Sequence, residues 1–163
     1  MTLKTRNIAL PFALALALGL PALVAAAAPS ASPGATDATV RAEDAPAEYT
    51  ITASAAPLKV GGESIAVVTI TTRGGFHWNK EYPAKATVAN PNFTTVDVKK
   101  TEFKQSTGDF ASVAPTIATV TIPLTGKAPG RETLKVETRF SVCSDKMCLI
   151  KTASADVTLV VAD

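Results

Sequence analysis

Short runs rich in Val, Ile and Thr, separated by Gly, Pro and Asn, make up the sequence from Ala47 onward. Apolar and polar residues alternate in these runs, which is typical of half-buried β-strands, and no helical period interrupts them. The pattern predicts strands at residues 49–53, 64–72, 85–89, 94–99, 117–124, 133–142 and 152–161. We therefore predict an all-β, immunoglobulin-like β-sandwich of about seven to nine strands. The run 64–72 is apolar on both faces and is expected to be a central strand.

The N-terminal region differs from the rest of the chain. It has a basic start, an apolar stretch rich in Leu and Ala, and four alanines at residues 25–28 that offer A-x-A cleavage sites. These features predict a secretory signal peptide at residues 1–27, and two prolines within the apolar stretch favour cleavage over a membrane anchor. Residues 28–46 are rich in Ala, Ser, Pro and Thr and are predicted to be a disordered linker. The folded domain is then residues 47–163, expected to be a periplasmic or secreted monomer.

The charge of the chain argues against a nucleic-acid partner. The sequence has 16 Lys and Arg residues and 14 Asp and Glu residues. Two of the basic residues, Lys4 and Arg6, belong to the predicted signal peptide, so the remaining chain is balanced. Proteins that bind phosphate backbones need a basic surface. We therefore expect no nucleic-acid partner.

The chain has two cysteines, Cys143 and Cys148, within the stretch FSVCSDKMCLI at residues 140–150. In an oxidising compartment they are expected to pair, and so small a ring would stabilise the fold by only about 2 kcal/mol. Three interpretations remain open at this point: a reversible redox couple, a minor structural clip, or half of a metal site. The last is a poor fit, because structural zinc needs four N or S ligands and the only histidine is His77. We expect neither a metal nor a cofactor.

Strand alternation predicts where the two sulfurs lie. Cys143 follows a strand in which it falls with the polar set, on the face opposite to the apolar side chains. If the next strand begins early and without a bulge, Cys148 falls with the polar set too. Both sulfurs are then expected on the outer face near a hairpin tip, where a partner could reach them.

The stretch GGFHWNKEYP, residues 74–83, contains the only histidine and the only tryptophan. We expect Phe76 and Trp78 to plug one end of the sandwich, with His77 on the surface. The alternative is a direct redox role for this loop.

The stretch TEFKQSTGDF, residues 101–110, has polar residues on both sides of Phe103. It is either an ordinary loop or a lid whose aromatic ring covers the disulfide.

Taken in this order, the three stretches resemble the N-terminal periplasmic domain of the DsbD-type thiol:disulfide interchange proteins, also called the disulfide-bond corrector domain. The resemblance covers about residues 49–161, and its sharpest part is CSDKMCL, which is similar to the family's paired-cysteine hairpin. GFHWN is similar to a family loop of the type G-aromatic-H. Glu102 and Phe103 fall where the family has its cap loop. The chain departs from the family after the second cysteine, where prolines are common and this sequence has LIK.

The resemblance implies thiol-disulfide exchange through Cys143 and Cys148. Reducing equivalents would pass from a thioredoxin-like protein or domain to periplasmic protein substrates, with a separate protein supplying the membrane electron carrier. The chain would then be a component of a protein-disulfide reductase. The expected cap or site-lining residues are Phe103, Glu102, His77, Trp78, Met147 and Leu149.

The family also implies that Cys148, the second cysteine, forms the mixed disulfide with the partner. Local chemistry agrees, because Lys146 and Lys151 lie near Cys148 in sequence and favour its thiolate, whereas Asp145 lies near Cys143. The competing interpretation comes from a different class. In it the chain is a non-catalytic β-sandwich that binds other molecules or acts as a chaperone, and the disulfide is a clip.

Overall fold

The computed structural model describes residues 48–163, so the predicted signal peptide and linker lie outside the described residues. The strands in chain order are β1 (Tyr49–Ala55), β2 (Leu58–Lys59), β3 (Glu63–Thr72), β4 (His77–Trp78), β5 (Lys85–Ala89), β6 (Val96–Asp97), β7 (Glu102–Lys104), β8 (Phe110–Ala114), β9 (Ile117–Gly126), β10 (Gly130–Cys143) and β11 (Cys148–Ala162). A single turn of 3-10 helix, Gln105–Thr107, follows β7. In this part of the chain no helix is both long enough and apolar enough to span a membrane.

The first sheet has the strand order β1, β3, β9, β6, and β8 also pairs with β9. All of its pairings are antiparallel. Alternate side chains of β3, including Ala66, Val68 and Ile70, are buried against the other sheet. Since β3 is hydrogen-bonded on both sides, the expectation that this run forms a central strand is confirmed.

The second sheet has the order β2, β11, β10, β5, β7. Strands β10 and β11 form a long antiparallel hairpin whose register runs unbroken from Gly130 opposite Val161 to Cys143 opposite Cys148. The other edge of β10 pairs first with β5 and then, near its end, with β4. This hairpin carries the two cysteines to one end of the sandwich.

The core lies between the two sheets and is filled by alternating side chains of the long strands. At the hairpin end it is aromatic: Phe140 contacts Tyr49 edge to face, with ring centroids 5.0 Å apart, and stacks on Trp78 at 5.8 Å. The prediction of an all-β, immunoglobulin-like sandwich is confirmed, and residues 48–163 form eleven strands where about seven to nine were expected. No predicted strand is missing, although the one at residues 94–99 shortens to β6.

Strand β6 is short because other groups bind the backbone just before it. The carboxylate of Glu132 accepts hydrogen bonds from the backbone N–H of Thr94 at 2.6 Å and of Thr95 at 3.3 Å. It also accepts hydrogen bonds from the hydroxyl groups of Thr94, at 2.8 Å, and Thr95, at 2.9 Å. These contacts satisfy backbone donors that a longer strand would use in the sheet.

Candidate functional site

The disulfide between Cys143 and Cys148 closes the tip of the β10–β11 hairpin. The two residues lie directly opposite each other, with their Cα atoms 4.0 Å apart. The four-residue turn between them has its own hydrogen bonds. The N–H of Ser144 donates to the carbonyl of Met147 at 2.8 Å, and the Ser144 hydroxyl accepts the N–H of Lys146 at 3.3 Å. The condition for placing Cys148 with the polar set is therefore met, since β11 begins at Cys148 and pairs with β10 without a bulge.

The two cysteines differ in exposure. Cys148 is exposed, as expected, but Cys143 is only 6% exposed, so the expectation that both sulfurs are accessible is wrong for Cys143. The reason is β4, which pairs along the free edge of β10 and sets His77 opposite Cys143. The N–H of Asn79 extends this contact by donating to the carbonyl of Ser141 at 3.1 Å. Cys143 therefore lies in the middle of three strands, and Cys148 lies at their margin.

Along β10, Cys143 occupies a position whose alternate neighbours are mostly exposed, yet Cys143 itself is buried. Lys135, Glu137 and Arg139 share that parity and are exposed, whereas Ser141 and Cys143 share it and are buried. The change occurs where β5 gives way to β4 as the neighbouring strand. The sequence pattern predicted which face of the sheet Cys143 belongs to, but not its burial where β4 replaces β5 beside β10.

A groove of about 450 Å³ lies over the disulfide. Its walls are residues 77–81, from β4 and the loop that follows, together with Ser144 and the two cysteines. The structure thus brings together four of the residues predicted from the sequence: His77, Trp78, Cys143 and Cys148.

Trp78 forms the floor of this region and belongs to the core. It is 3% exposed and stacks between Phe110, at 5.6 Å, and Phe140. Its backbone N–H donates to the carbonyl of Pro115 at 2.9 Å, which ties β4 to the turn between β8 and β9. The expected plug is confirmed for Trp78 and for Phe76, which packs against the core, while His77 is exposed.

The structure does not bring Phe103 to the disulfide. The residue is 2% exposed and lies in β7, opposite Ala86 of β5. Ala86 in turn lies opposite Thr138, five positions before Cys143, which is about 17 Å along a strand at 3.3 Å per residue. The aromatic ring expected as a lid is instead a core side chain, with the Lys100 Nζ 5.3 Å from its centroid.

Glu102 is also remote from the groove and has a local role. Its carboxylate forms ion pairs with Lys104, at 2.6 Å, and with Lys85. Hydrogen bonds from Lys104 and then Lys85 lower the pKa of Glu102 to about 2. The acidic group thus bridges β7 and β5 on the exposed face of the sheet.

Exposed apolar side chains lie on both sides of Cys148 along the hairpin. Met147 is 54% exposed and Ile150 is 57% exposed, while Leu149 is half-buried against the core. Lys151 has the opposite parity to Cys148 along β11 and pairs with Glu48 at 3.5 Å. The argument that Lys151 favours a thiolate at Cys148 therefore fails, and of the two lysines expected to do so only Lys146 remains.

Sequence reasoning missed two contributors to this region, Ser144 and Phe110. Ser144 organises the hairpin turn, and a serine directly after a strand before a short polar stretch is a recognisable turn signal. Phe110 supports Trp78 from the first sheet, a contact between residues 32 positions apart that no local pattern reveals.

No protein-family model and no curated protein matches the chain. Two of the solved structures that match the chain are the following. One is AggA, the major subunit of aggregative adherence fimbriae type I from Escherichia coli, with 10% identity and a TM-score of 0.34, covering 71% of this chain and 96% of that chain. The other is the ASH/PapD-like domain of human CEP192, with 10% identity and a TM-score of 0.33, covering 80% of this chain and 99% of that one. Likeness at this level says nothing about function.

The geometry of the site allows one kind of chemistry in particular. A disulfide is broken when a thiolate attacks one of its sulfurs, so the rate depends on which sulfur can be reached. Here both cysteines line one groove, but Cys148 is exposed whereas Cys143 is only 6% exposed. Cys148 is therefore the more accessible of the two cysteines.

Proposed function

We propose that this protein is an exported thiol-disulfide exchange module. Its Cys143–Cys148 pair would carry reducing equivalents from a thioredoxin-like donor to exported protein substrates. The observation that carries the proposal is the difference in exposure between the two sulfurs. Cys148 is exposed at the tip of the hairpin, and Cys143 is buried beside β4.

The exchange proceeds in steps that balance. A thiolate of the donor attacks the Sγ of Cys148, a sulfur–sulfur bond forms between them, and the Cys143–Cys148 bond breaks. The electron pair leaves on the Sγ of Cys143, which takes up a proton. The donor's second thiolate then attacks the donor sulfur of the mixed disulfide and releases Cys148. The donor ends as a disulfide and the module as a dithiol.

Delivery to a substrate uses the same two sulfurs in reverse. The Cys148 thiolate attacks a substrate disulfide and releases one substrate thiolate. Cys143 then attacks the Sγ of Cys148, and this releases the second substrate thiolate and restores the module's disulfide. Cys148 is thus the sulfur that meets every partner, and Cys143 is the resolving thiol.

The surface beside Cys148 suits such a partner. Met147 and Ile150 present exposed apolar area, and Met adapts its shape to different contacts. Lys146 adds a positive charge in the turn, which favours a thiolate at Cys148. The resemblance of CSDKMCL and GFHWN to the disulfide-bond corrector family supports the same role. It also implies a periplasmic location after signal-peptide cleavage and an electron carrier on a separate membrane protein.

Trapping of the mixed disulfide tests the assignment of Cys148. Each single mutant, Cys143→Ser and Cys148→Ser, is incubated with a thioredoxin-like protein whose own resolving cysteine has been removed. Cys143→Ser should accumulate the covalent complex on a non-reducing gel and Cys148→Ser should not, with the double mutant as the blank. The reverse pattern would overturn the assignment.

A second candidate function is a binding or chaperone-like sandwich in which the disulfide is a clip. The burial of Cys143 and the independent hydrogen bonds of the turn favour it, since both would hold a structural bridge in place. Failure of both single mutants to form any complex would support this alternative.

A further inference from the structure

His77, Cys143 and Cys148 form a row across β4, β10 and β11. His77 lies directly opposite Cys143, and Cys143 lies directly opposite Cys148. Residues opposite each other in antiparallel strands project their side chains to the same face, with Cβ atoms about 4.5–5.5 Å apart. All three residues accordingly line the same groove. Cys143, the buried residue of the three, lies between His77 and Cys148.

We propose that His77 is the acid–base partner of Cys143, a role that rests on the exchange function proposed above. In that function Cys143 must leave as a thiolate and later attack as one. Burial disfavours the charged form of a thiol, so a covered Cys143 without a partner would be both a poor leaving group and a weak nucleophile. An imidazole beside it removes both difficulties, because it can hold and return a proton.

Each step then has a defined proton path. When a donor thiolate joins Cys148, the electron pair passes to the Sγ of Cys143, and the protonated imidazole of His77 gives that sulfur its proton. When Cys143 later resolves a mixed disulfide, the neutral imidazole takes the proton back. The Cys143 thiolate then attacks Cys148 and expels the partner's sulfur.

The surroundings of His77 suit this role. The side chain is exposed, so it can exchange its proton with water between steps. Two further charged side chains line the groove, Lys80 and Glu81, on the loop that follows β4. Asp145 and Lys146 lie in the adjacent hairpin turn, and all four are exposed. Two of them are positively charged and two negatively charged, so the charged groups around the imidazole have no net charge.

The test titrates Cys143 alone. In the Cys148→Ser variant Cys143 is the one remaining thiol, and its thiolate is followed against pH by ultraviolet absorbance. Adding His77→Asn should move the midpoint of this titration up by about one pH unit, because the thiolate loses its cationic neighbour. Arg73→Gln, which removes a charge from the turn before β4 but lies outside the groove, is the control and should leave the midpoint unchanged. Near-ultraviolet circular dichroism confirms that each variant is folded.

A midpoint that is the same with and without His77 would overturn the proposal. The titration needs no partner protein, so its outcome is independent of whether exchange occurs. A raised midpoint together with no trapped complex would keep the role of His77 and reject the exchange function. A trapped complex together with an unchanged midpoint would keep the exchange function and reject the role of His77.

Discussion

Cys143 and Cys148 share one bond but have different surroundings. Cys143 is covered because β4 lies on one side of it and β11 on the other. Cys148 is at the margin, since β2 pairs with the far end of β11 at Val161 and Ala162. In the proposed exchange, this asymmetry would present one sulfur to partners and keep the other for resolution. Trp78, stacked beneath, fixes β4 and therefore the cover over Cys143.

Two buried phenylalanines distinguish a core role from a role near the disulfide. Phe103→Ala should lower the free energy of unfolding by about 3–5 kcal/mol, the usual cost of removing a buried aromatic ring. Its rate of disulfide reduction by a small thiol, measured well below the unfolding transition, should equal that of the wild type. Phe110→Ala is the matched variant. It removes the ring that supports Trp78 under the groove and should make reduction faster. Faster reduction in folded Phe103→Ala would restore the lid interpretation.

At the scale of elements, the β10–β11 hairpin organises the domain. Its two strands lie in the middle of the second sheet, with β2 on one side and β5 on the other, and its tip carries the cysteines. Its other end is anchored by Glu132, near the start of β10, which holds the segment before β6 in the opposite sheet. One strand pair thus connects the site at the tip to a tether between the sheets at the base.

The Glu132 tether gives the fold a dependence on pH. Partial burial works to raise the pKa of this carboxyl, but the hydrogen bonds from Thr94 and Thr95 outweigh it and hold the pKa below the ordinary value. The stabilisation is therefore fully present above the ordinary carboxyl pKa and is lost as pH falls through the lowered one. Glu132→Gln should lower the free energy of unfolding by about 1 kcal/mol at neutral pH, a value that allows for the partial exposure of the carboxylate.

Thermal melts over a range of pH measure this effect. The difference in melting temperature between wild type and Glu132→Gln should be largest near neutral pH and should become smaller in acid. Glu137→Gln, on the exposed face of the same strand, is the control and should show little difference from wild type at any pH. A gap that stays constant down to low pH would contradict the tether.

The sequence predicted long strands well and short ones poorly, for a physical reason. Strands β3, β9, β10 and β11 have ten or more residues, enough for several periods of alternation. Strands β2 and β4 have two residues each and no period to detect. The cover over Cys143 depends on β4, which is distant in sequence, so local parity predicted the face of the cysteine but not its burial.

At the scale of the whole domain, residues 48–163 form a sandwich whose core does not depend on the disulfide. The core draws on both sheets, and most of the largest fully buried side chains, such as Ile70, Ile122 and Leu134, lie in the long strands. A ring closed by four intervening residues adds about 2 kcal/mol to such a fold. We therefore expect the domain to stay folded when its disulfide is reduced, as the proposed carrier of reducing equivalents requires.

The reduction potential of the Cys143–Cys148 disulfide tests the central claim most directly. The oxidised protein is equilibrated in glutathione and dithiothreitol buffers of defined ratio. The reduced fraction is read by thiol alkylation and by the fluorescence of Trp78, the only tryptophan, which lines the same groove. An exchangeable disulfide should have a potential of about −230 to −180 mV, in the range of glutaredoxins and protein disulfide isomerase. A value below about −300 mV would identify a structural bridge and contradict the account.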